Sequence, residues 1–419
     1  MMHSPKWLCD RVVAQTLQDK VPPIMSETRK SLKPNKLKRE ALRLLGQIVR
    51  LPSYLWSVSL SNTFYDLVHA RQVKTHVGDL DLNDRAVVFV VYADKGLQTS
   101  HIKCLEYFHE NEYSPIVVSN LPLSHTDREK LKALSWQVIE RPNIGYDFGA
   151  YREGILTLGD KLKQLNNLVL INDSAWFPLP GSRSWLEDVK ELNVDFTAAA
   201  SHYGVAKVQP EEFRQQEWSY GASHTNFHYT SFALSFSARI VADPKFRTFW
   251  HRYKLTNRKN RVVRRGEIGL SKWVLRNGYS HGETLDLPFL DQRLKELRRE
   301  RLYEVANGVI ISWPEFNDLF VRLTEKPESA SKDELEKFIL CAAATQGGSY
   351  TLAEYSIFER SYPFLKKSPI SWDEASSDRT LSIIERLPKT GAEYIMKEAL
   401  ALRFDKTDFP DVTLEDPAK

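Results

Sequence analysis

Cysteine is scarce in this 419-residue chain: Cys9, Cys104 and Cys341 lie far apart with no CxxC pair. That excludes a disulfide framework and a thiolate metal cluster, and points to a reducing, cytoplasmic setting. Long apolar runs are also missing. No window of about 18 predominantly apolar residues occurs, and the longest uncharged stretch, residues 218–238, is filled with Ser, Thr, His and Asn. At the N-terminus Lys6, Asp10 and Arg11 interrupt any signal-peptide core. Neither a GxSxG elbow nor a P-loop is present, which argues against those hydrolases and nucleoside triphosphatases. His224 and His228 are four apart, but no Glu follows His224, so the zinc-protease pattern fails and structural or substrate-contacting histidines remain. With 18 Gly and 20 Pro spread without period, 42% hydrophobic and 27% charged residues, the composition is that of a globular protein with a sizeable core.

Charge is unevenly placed. Residues 1–78 hold 13 Lys and Arg against 5 Asp and Glu, whereas the remaining 341 residues hold 45 against 49. A basic end on a mildly acidic body suggests an anionic surface as partner. On a helix, Lys36, Arg39, Arg43 and Arg50 fall within about 60° of one another, opposite Ala41, Leu42, Leu44, Leu45, Ile48, Val49 and Leu51. Pro52 ends that helix, and Tyr54, Leu55 and Trp56 follow, of the kind found at membrane interfaces. Stacking aromatics interleaved with the cations are missing, which disfavours nucleic acid. The alternative is that the aliphatic face packs on the main domain.

Along the chain, residues 1–78 read as helices broken at Pro22-Pro23, Pro34 and Pro52, a basic lead segment without its own sheet. Residues 86–92 then form a continuous β-branched and aromatic run, the pattern of a parallel strand buried on both faces. Strands at 115–119, 136–139 and 168–171 alternate with helices at 100–111, 126–134 and 147–158, so the expectation is an α/β, doubly wound mixed sheet. Residues 196–200 and 231–236 read as added strands, and 244–253 and 270–276 as helices. The domains expected are the lead segment 1–78, a catalytic domain 79–324 and a C-terminal helical region 325–419.

In such a sheet the ligand crevice lies beyond the carboxyl ends of the strands. That rule nominates Asp94 and its turn, Ser119-Asn120, residues 141–147 and Asn172-Asp173-Ser174. In the third, Asn143, Gly145 and Asp147 open a helix whose free amides favour a phosphate; alternatively Asp147 caps the helix and Gly145 supplies a tight turn. Asn172-Asp173-Ser174 offers hard oxygen ligands suited to Mg²⁺ or Mn²⁺ bridging to a diphosphate, or is a plain strand-end turn.

The blocks Val88-Phe89-Val90-Val91-Tyr92, Arg141-Pro142-Asn143-Ile144-Gly145-Tyr146-Asp147-Phe148-Gly149-Ala150-Tyr151, Leu170-Ile171-Asn172-Asp173-Ser174, Tyr229-Thr230-Ser231-Phe232, Glu267-Ile268-Gly269-Leu270-Ser271 and Tyr362-Pro363-Phe364-Leu365-Lys366 carry a resemblance. In this order and spacing they are similar to the rhamnan synthesis protein F family of bacterial glycosyltransferases, over roughly residues 85–370. The resemblance implies a GT-A-like nucleotide-sugar fold. It implies a donor site that includes Tyr92, Asp94, Arg141, Asn143, Gly145, Asp147 and Asn172-Asp173-Ser174. Asn172-Asp173-Ser174 occupies the place of a DxD metal motif, with Asp173 as the ligand of Mg²⁺ or Mn²⁺, although only its middle position is acidic.

By the same comparison Glu267 is the catalytic base of an inverting transfer, or else a solvated helix-start glutamate. Arg264 or Arg265 would help stabilise the departing nucleoside diphosphate, and His228 and Ser231 would contact acceptor or sugar. The implied activity is transfer of a sugar, L-rhamnose from its dTDP donor in the leading version, to a surface polysaccharide on a lipid-linked saccharide acceptor. A UDP-hexose or UDP-hexofuranose donor is the second version, and a non-catalytic scaffold of a polysaccharide assembly complex is the rival of another class. On this reading residues 36–56 hold the catalytic domain at the inner-membrane surface. Liposome flotation checks it: the wild-type chain should float with anionic vesicles, and a variant reversing Lys36, Arg39, Arg43 and Arg50 to Glu should stay behind.

Overall fold

The computed structural model describes residues 70–404 except 326, 327 and 329, all within the second of two units of the chain, Trp56–Lys419. The helix expected at 36–56 lies outside the described residues.

The α/β class expected from the strand–helix alternation is what the structure contains. Strand β1 (Lys74–Val77) precedes the parallel centre, formed by β2 (Arg85–Val91), β3 (Ser114–Ser119), β4 (Gln137–Glu140) and β5 (Asn167–Asn172). Helices α1 (Thr99–Glu110), α2 (His125–Ala133) and α3 (Tyr146–Thr157) make the crossovers. The remaining strands are β6 (Ala175–Trp176), β7 (Phe196–Ala198), β8 (Ser201–His202), β9 (His228–Tyr229), β10 (Ala233–Ser237), β11 (His281–Glu283) and β12 (Leu365–Lys366). Among the described residues the main sheet has eight strands in the order β1-β4-β3-β2-β5-β10-β7-β11. β2 pairs parallel with both β3 and β5, whereas β10 runs antiparallel to β5 and β7, which makes the sheet mixed.

Alternation along β2 shows why this chain needs two covered faces. Val87, Phe89 and Val91 pack with Leu105 and Phe108 of α1 and Leu131 of α2. Ala86, Val88 and Val90 pack on the other face with Phe148, Tyr151 and Ile155 of α3. All six strand residues are at most 2% exposed, and full burial of a Val or Phe side chain is worth about 1.5–3 kcal/mol. Because α1 and α2 cover one face and α3 the other, the chain reverses its winding after β4 and returns to add β5 on the far side of β2. The connections leaving the carboxyl ends of β2 and β5 therefore run to opposite faces, the arrangement that leaves a crevice in such a sheet.

Three helices matter for that crevice: α4 (Lys259–Arg265), α5 (Glu267–Arg276) and the long α6 (Lys332–Gln346), which a short helix, α7 (Gly348–Thr351), follows. Ser331 and Glu334 form a reciprocal capping box at the start of α6. Within the region expected to be helical, the stretch after Tyr362 is extended. Its residues Leu365 and Lys366 form β12, which pairs antiparallel with β6, setting Lys366 opposite Ala175.

The turn into α3 depends on glycine. Gly145 has φ of 86°, in the left-handed region. A Cβ on Gly149 would stand 2.1 Å from the Ile144 carbonyl oxygen, a backbone atom unable to step aside. Gly149→Ala should lose at least about 2 kcal/mol in urea unfolding. Gly221→Ala, where nothing lies within 4 Å of the added carbon, should stay within about 0.5 kcal/mol of wild type.

Candidate active site

At the carboxyl end of β5 lies a cavity of about 300 Å³. Two walls face each other across it. One carries Asp147 from the first turn of α3, Asn172 and Ser174 from the end of β5, and Lys366 from β12. The other carries His228 of β9, Ser231 just after it, and Glu267 at the start of α5. The sequence nominated six of these seven residues.

The first wall is a chain of hydrogen bonds. Lys366 Nζ donates to Ser174 Oγ at 2.7 Å. Ser174 Oγ donates to Asn172 Oδ1, and Asn172 Nδ2 donates to Asp147 Oδ2 at 2.7 Å. Burial pushes the Asp147 carboxyl up to about 7, with the Asp173 and Glu267 charges adding to it against the pull of Lys366. Burial likewise pushes the Lys366 ammonium down to about 8, although Asp147, Glu267 and Asp173 all favour its charged form. Both groups therefore titrate close to neutrality, which is unusual for either type.

The second wall fixes one carboxylate. Ser231 Oγ donates to Glu267 Oε1 at 2.7 Å and the Ser231 amide donates to the same oxygen at 3.3 Å. The Tyr151 hydroxyl donates to the Ser231 carbonyl at 2.8 Å, so α3 braces the loop that holds Glu267. His228 Nε2 stands 3.6 Å from Glu267 Oε2. Its Nδ1 lies 2.8 Å from the Asn226 carbonyl, which can only accept, so Nδ1 carries the proton and Nε2 is left to face the carboxylate. A glutamate held by two donors on one oxygen, with its other oxygen toward a cavity, can take a proton from a bound hydroxyl.

Asp173 points away from the cavity lining. Its Oδ2 accepts from the Tyr92 amide at 2.6 Å and stands 3.5 Å from His101 Nε2. Burial works against its charge, but the hydrogen bond to His101, the nearby Lys367 ammonium and the Tyr92 amide hold it below the usual carboxylate value. This bond ties the end of β5 to the end of β2.

The other nominated residues are not gathered into the cavity. Asp94 and Asn143 are exposed in their loops. The Arg141 guanidinium is buried, donating to Asn120 Oδ1 at 2.6 Å and to the Ile144 carbonyl at 2.7 Å, a brace inside the turn. The Gly145 amide donates to Asn257 Oδ1 at 2.9 Å. Arg264 is exposed on α4, and Arg265 donates to the Lys254 carbonyl at 3.4 Å. Conversely, Tyr350 of α7, His202 of β8 and Lys259 at the rim line the cavity without having been nominated. Lys366 had a signal, since it closes one of the resembling blocks; Tyr350 had none.

The family model of rhamnan synthesis protein F matches residues 115–311. That stretch runs from β3 past β11 and includes Asp147, Asn172, Ser174, His228, Ser231 and Glu267, but stops before Lys366. The uncharacterized protein y4gN of Sinorhizobium fredii (strain NBRC 101917 / NGR234) is 29% identical over 244 residues, covering 58% of this chain and 59% of that relative. Among solved structures, core-mannan synthase A from Aspergillus fumigatus in its Mn/GDP form aligns at 10% identity, covering 42% of this chain and 68% of that one, with a TM-score of 0.24. The mannosyltransferase PcManGT from Pyrobaculum calidifontis, in complex with GDP-Man and Mn²⁺, aligns at 12% identity, covering 80% and 92%, with a TM-score of 0.25.

After β5 the side-chain oxygens of Asn172 and Ser174 are taken up within the fold. Asn172 Oδ1 already accepts from both the amide and the hydroxyl of Ser174, which uses both of its lone pairs. Asp173 Oδ2 is engaged by Tyr92 and His101, and the Lys366 ammonium sits on Ser174. Among the described residues no three His, Cys, Asp or Glu side chains gather as a metal cluster. Nor does any described helix have the length and apolarity to cross a membrane.

The Asp147 carboxyl supplies a pH test. Its folded value near 7 exceeds its ordinary 3.8, so between those values the unfolded chain releases a proton that the fold retains, and rising pH destabilises the fold through this group. Asp147→Asn keeps an acceptor for Asn172 and carries no such cost. In denaturation at pH 5 and pH 8, the stability of Asp147→Asn relative to wild type should rise by about 1–2 kcal/mol at the higher pH.

Proposed function

We propose that this protein is a glycosyltransferase of GT-A-like architecture that moves a sugar from a nucleoside diphosphate donor to an acceptor hydroxyl, with Glu267 as general base. The observation that carries the reading is the cavity's polarity. A positioned carboxylate on one wall faces a buried ammonium and its hydrogen-bonded partners on the other, at the sheet position where nucleotide ligands bind in open α/β folds. The match to rhamnan synthesis protein F supports the same reading.

In the transfer, the acceptor oxygen bonds to the anomeric carbon as its proton passes to Glu267 Oε2. The bond from that carbon to the phosphate oxygen breaks, and the electron pair leaves with the nucleoside diphosphate. Attack from the wall opposite the leaving group inverts the anomeric configuration. His228 beside Glu267 Oε2 accepts a hydrogen bond from the protonated acid, which favours its formation. Protonated Asp147 offers an O–H to a sugar or phosphate oxygen near neutral pH.

L-rhamnose from its dTDP form is the donor we favour, with a growing bacterial surface polysaccharide on a lipid-linked saccharide as acceptor at the inner-membrane surface. A UDP-hexose or UDP-hexofuranose is the alternative donor. A scaffold without catalysis would have no reason to hold Glu267 by two donors at a cavity wall.

Turnover of candidate donors is read as nucleoside diphosphate release in the presence of a rhamnan oligosaccharide. Glu267→Gln should lower turnover by about 10²–10⁴ while nucleoside diphosphate affinity, measured by calorimetry, changes less than about threefold. Loss of affinity and turnover together would make Glu267 a structural residue.

A further inference from the structure

We propose that Lys366 is the cation that receives the donor's diphosphate, and that this enzyme stabilises its leaving group with a buried ammonium in place of a divalent metal. The inference deepens the glycosyl-transfer reading and rests on it.

Lys366 reaches the cavity by an indirect route. β12 pairs with β6 immediately after the Asn172-Asp173-Ser174 turn, and the Lys367 amide donates to the Ser174 carbonyl at 3.0 Å. Two backbone attachments thus fix the lysine against the strand end from which the donor set projects. The residue is 6% exposed, and its ammonium lies over aromatic faces, with Nζ 4.3 Å from the centre of the Phe232 ring and 5.4 Å from that of Tyr350. Such faces tolerate a cation without neutralising it.

An ammonium has three N–H donors. Ser174 Oγ is the acceptor that Lys366 has among the described residues, so two donors remain for a ligand at the cavity floor. Glu267 lies across the cavity, and Asp147, on the lysine's own wall, is joined to it through Ser174 and Asn172. Taking an ammonium out of water is costly unless an anion compensates it. A diphosphate that enters between the walls supplies the compensating charge directly. As the bond to the anomeric carbon breaks, negative charge grows on the phosphate oxygen, where a fixed cation in a water-poor site stabilises it strongly.

The same geometry disfavours a second cation. A divalent ion bound at Asn172 or Ser174 would find the lone pairs of Asn172 Oδ1 occupied and would sit beside the ammonium. Lysine here makes unnecessary what the missing acidic positions of the strand-end motif would have held.

The test uses the full chain and calorimetry with UDP, GDP and dTDP, in EDTA and in Mn²⁺. Wild type should bind at least one of them in EDTA, with affinity changed less than threefold by Mn²⁺. Lys366→Met puts an apolar side chain of similar length in the lysine's place and should fold, as checked by its melting curve. It should lose at least tenfold in affinity, with no recovery in Mn²⁺. Lys366→Gln gives the same comparison if the methionine variant is unstable. Binding by wild type only in Mn²⁺, or equal affinity of wild type and Lys366→Met in EDTA, would overturn the inference while leaving the donor reading intact. Failure of wild type to bind any of the three nucleotides in either condition would overturn the donor reading and the inference together.

Discussion

A buried ammonium joined to a buried carboxyl through a serine and an asparagine sets the terms for the rest of the crevice. Each member of that chain has its donor direction fixed by its neighbour: lysine to serine, serine to asparagine, asparagine to aspartate. Remove any one and a polar group is left in a low-dielectric pocket without a partner, which costs more than an ordinary hydrogen bond contributes. The Asn-Asp-Ser turn therefore works as a bridge between charges. Asp173, the acidic member, faces the opposite way and fastens β5 to β2.

The sheet supplies the rigidity this arrangement requires. β2 is buried on both faces and lies between two parallel neighbours, so the ends of β2 and β5 are placed by the best-packed part of the molecule. The opposing wall is built less directly. Ser231 is held by Tyr151 from α3, and Ser271 joins β9 to α5 within that wall, donating to the Glu267 carbonyl while accepting from the Tyr229 amide. One helix, α3, thus reaches both sides, through Asp147 at its start and Tyr151 a turn later.

Much of this was legible in the sequence, and the reason is local. The β-branched runs at 86–92, 115–119 and 168–171 lie within a residue or two of β2, β3 and β5, because a strand covered on both faces can hardly be anything but apolar throughout. Asp147, Asn172 and Ser174 were found because strand ends and the helix starts that follow them are where a doubly wound sheet puts its ligands, and Glu267 through the family resemblance. Arg141 was nominated by its place after a strand end and by the family resemblance, but its guanidinium turns inward to the Asn120 side chain and the Ile144 carbonyl, partners that no spacing rule sees. Tyr350 and His202 were invisible because they reach the cavity through packing of distant segments. Lys366 was quoted as part of a block and given no chemical role, because what buries it, the pairing of β12 with β6, joins segments far apart in the chain.

That pairing also orders events in time. Lys366 and Ser174 are 192 residues apart, so at synthesis rates of about 5–20 residues per second the lysine leaves the ribosome roughly 10–40 seconds after the turn it completes. Until then the central strands can form and the glutamate can find its serine, yet the nascent crevice is open, wet and lacking its positive charge. The charge balance of the cavity is therefore the last of these features to be set, after both strand ends that frame it have been made.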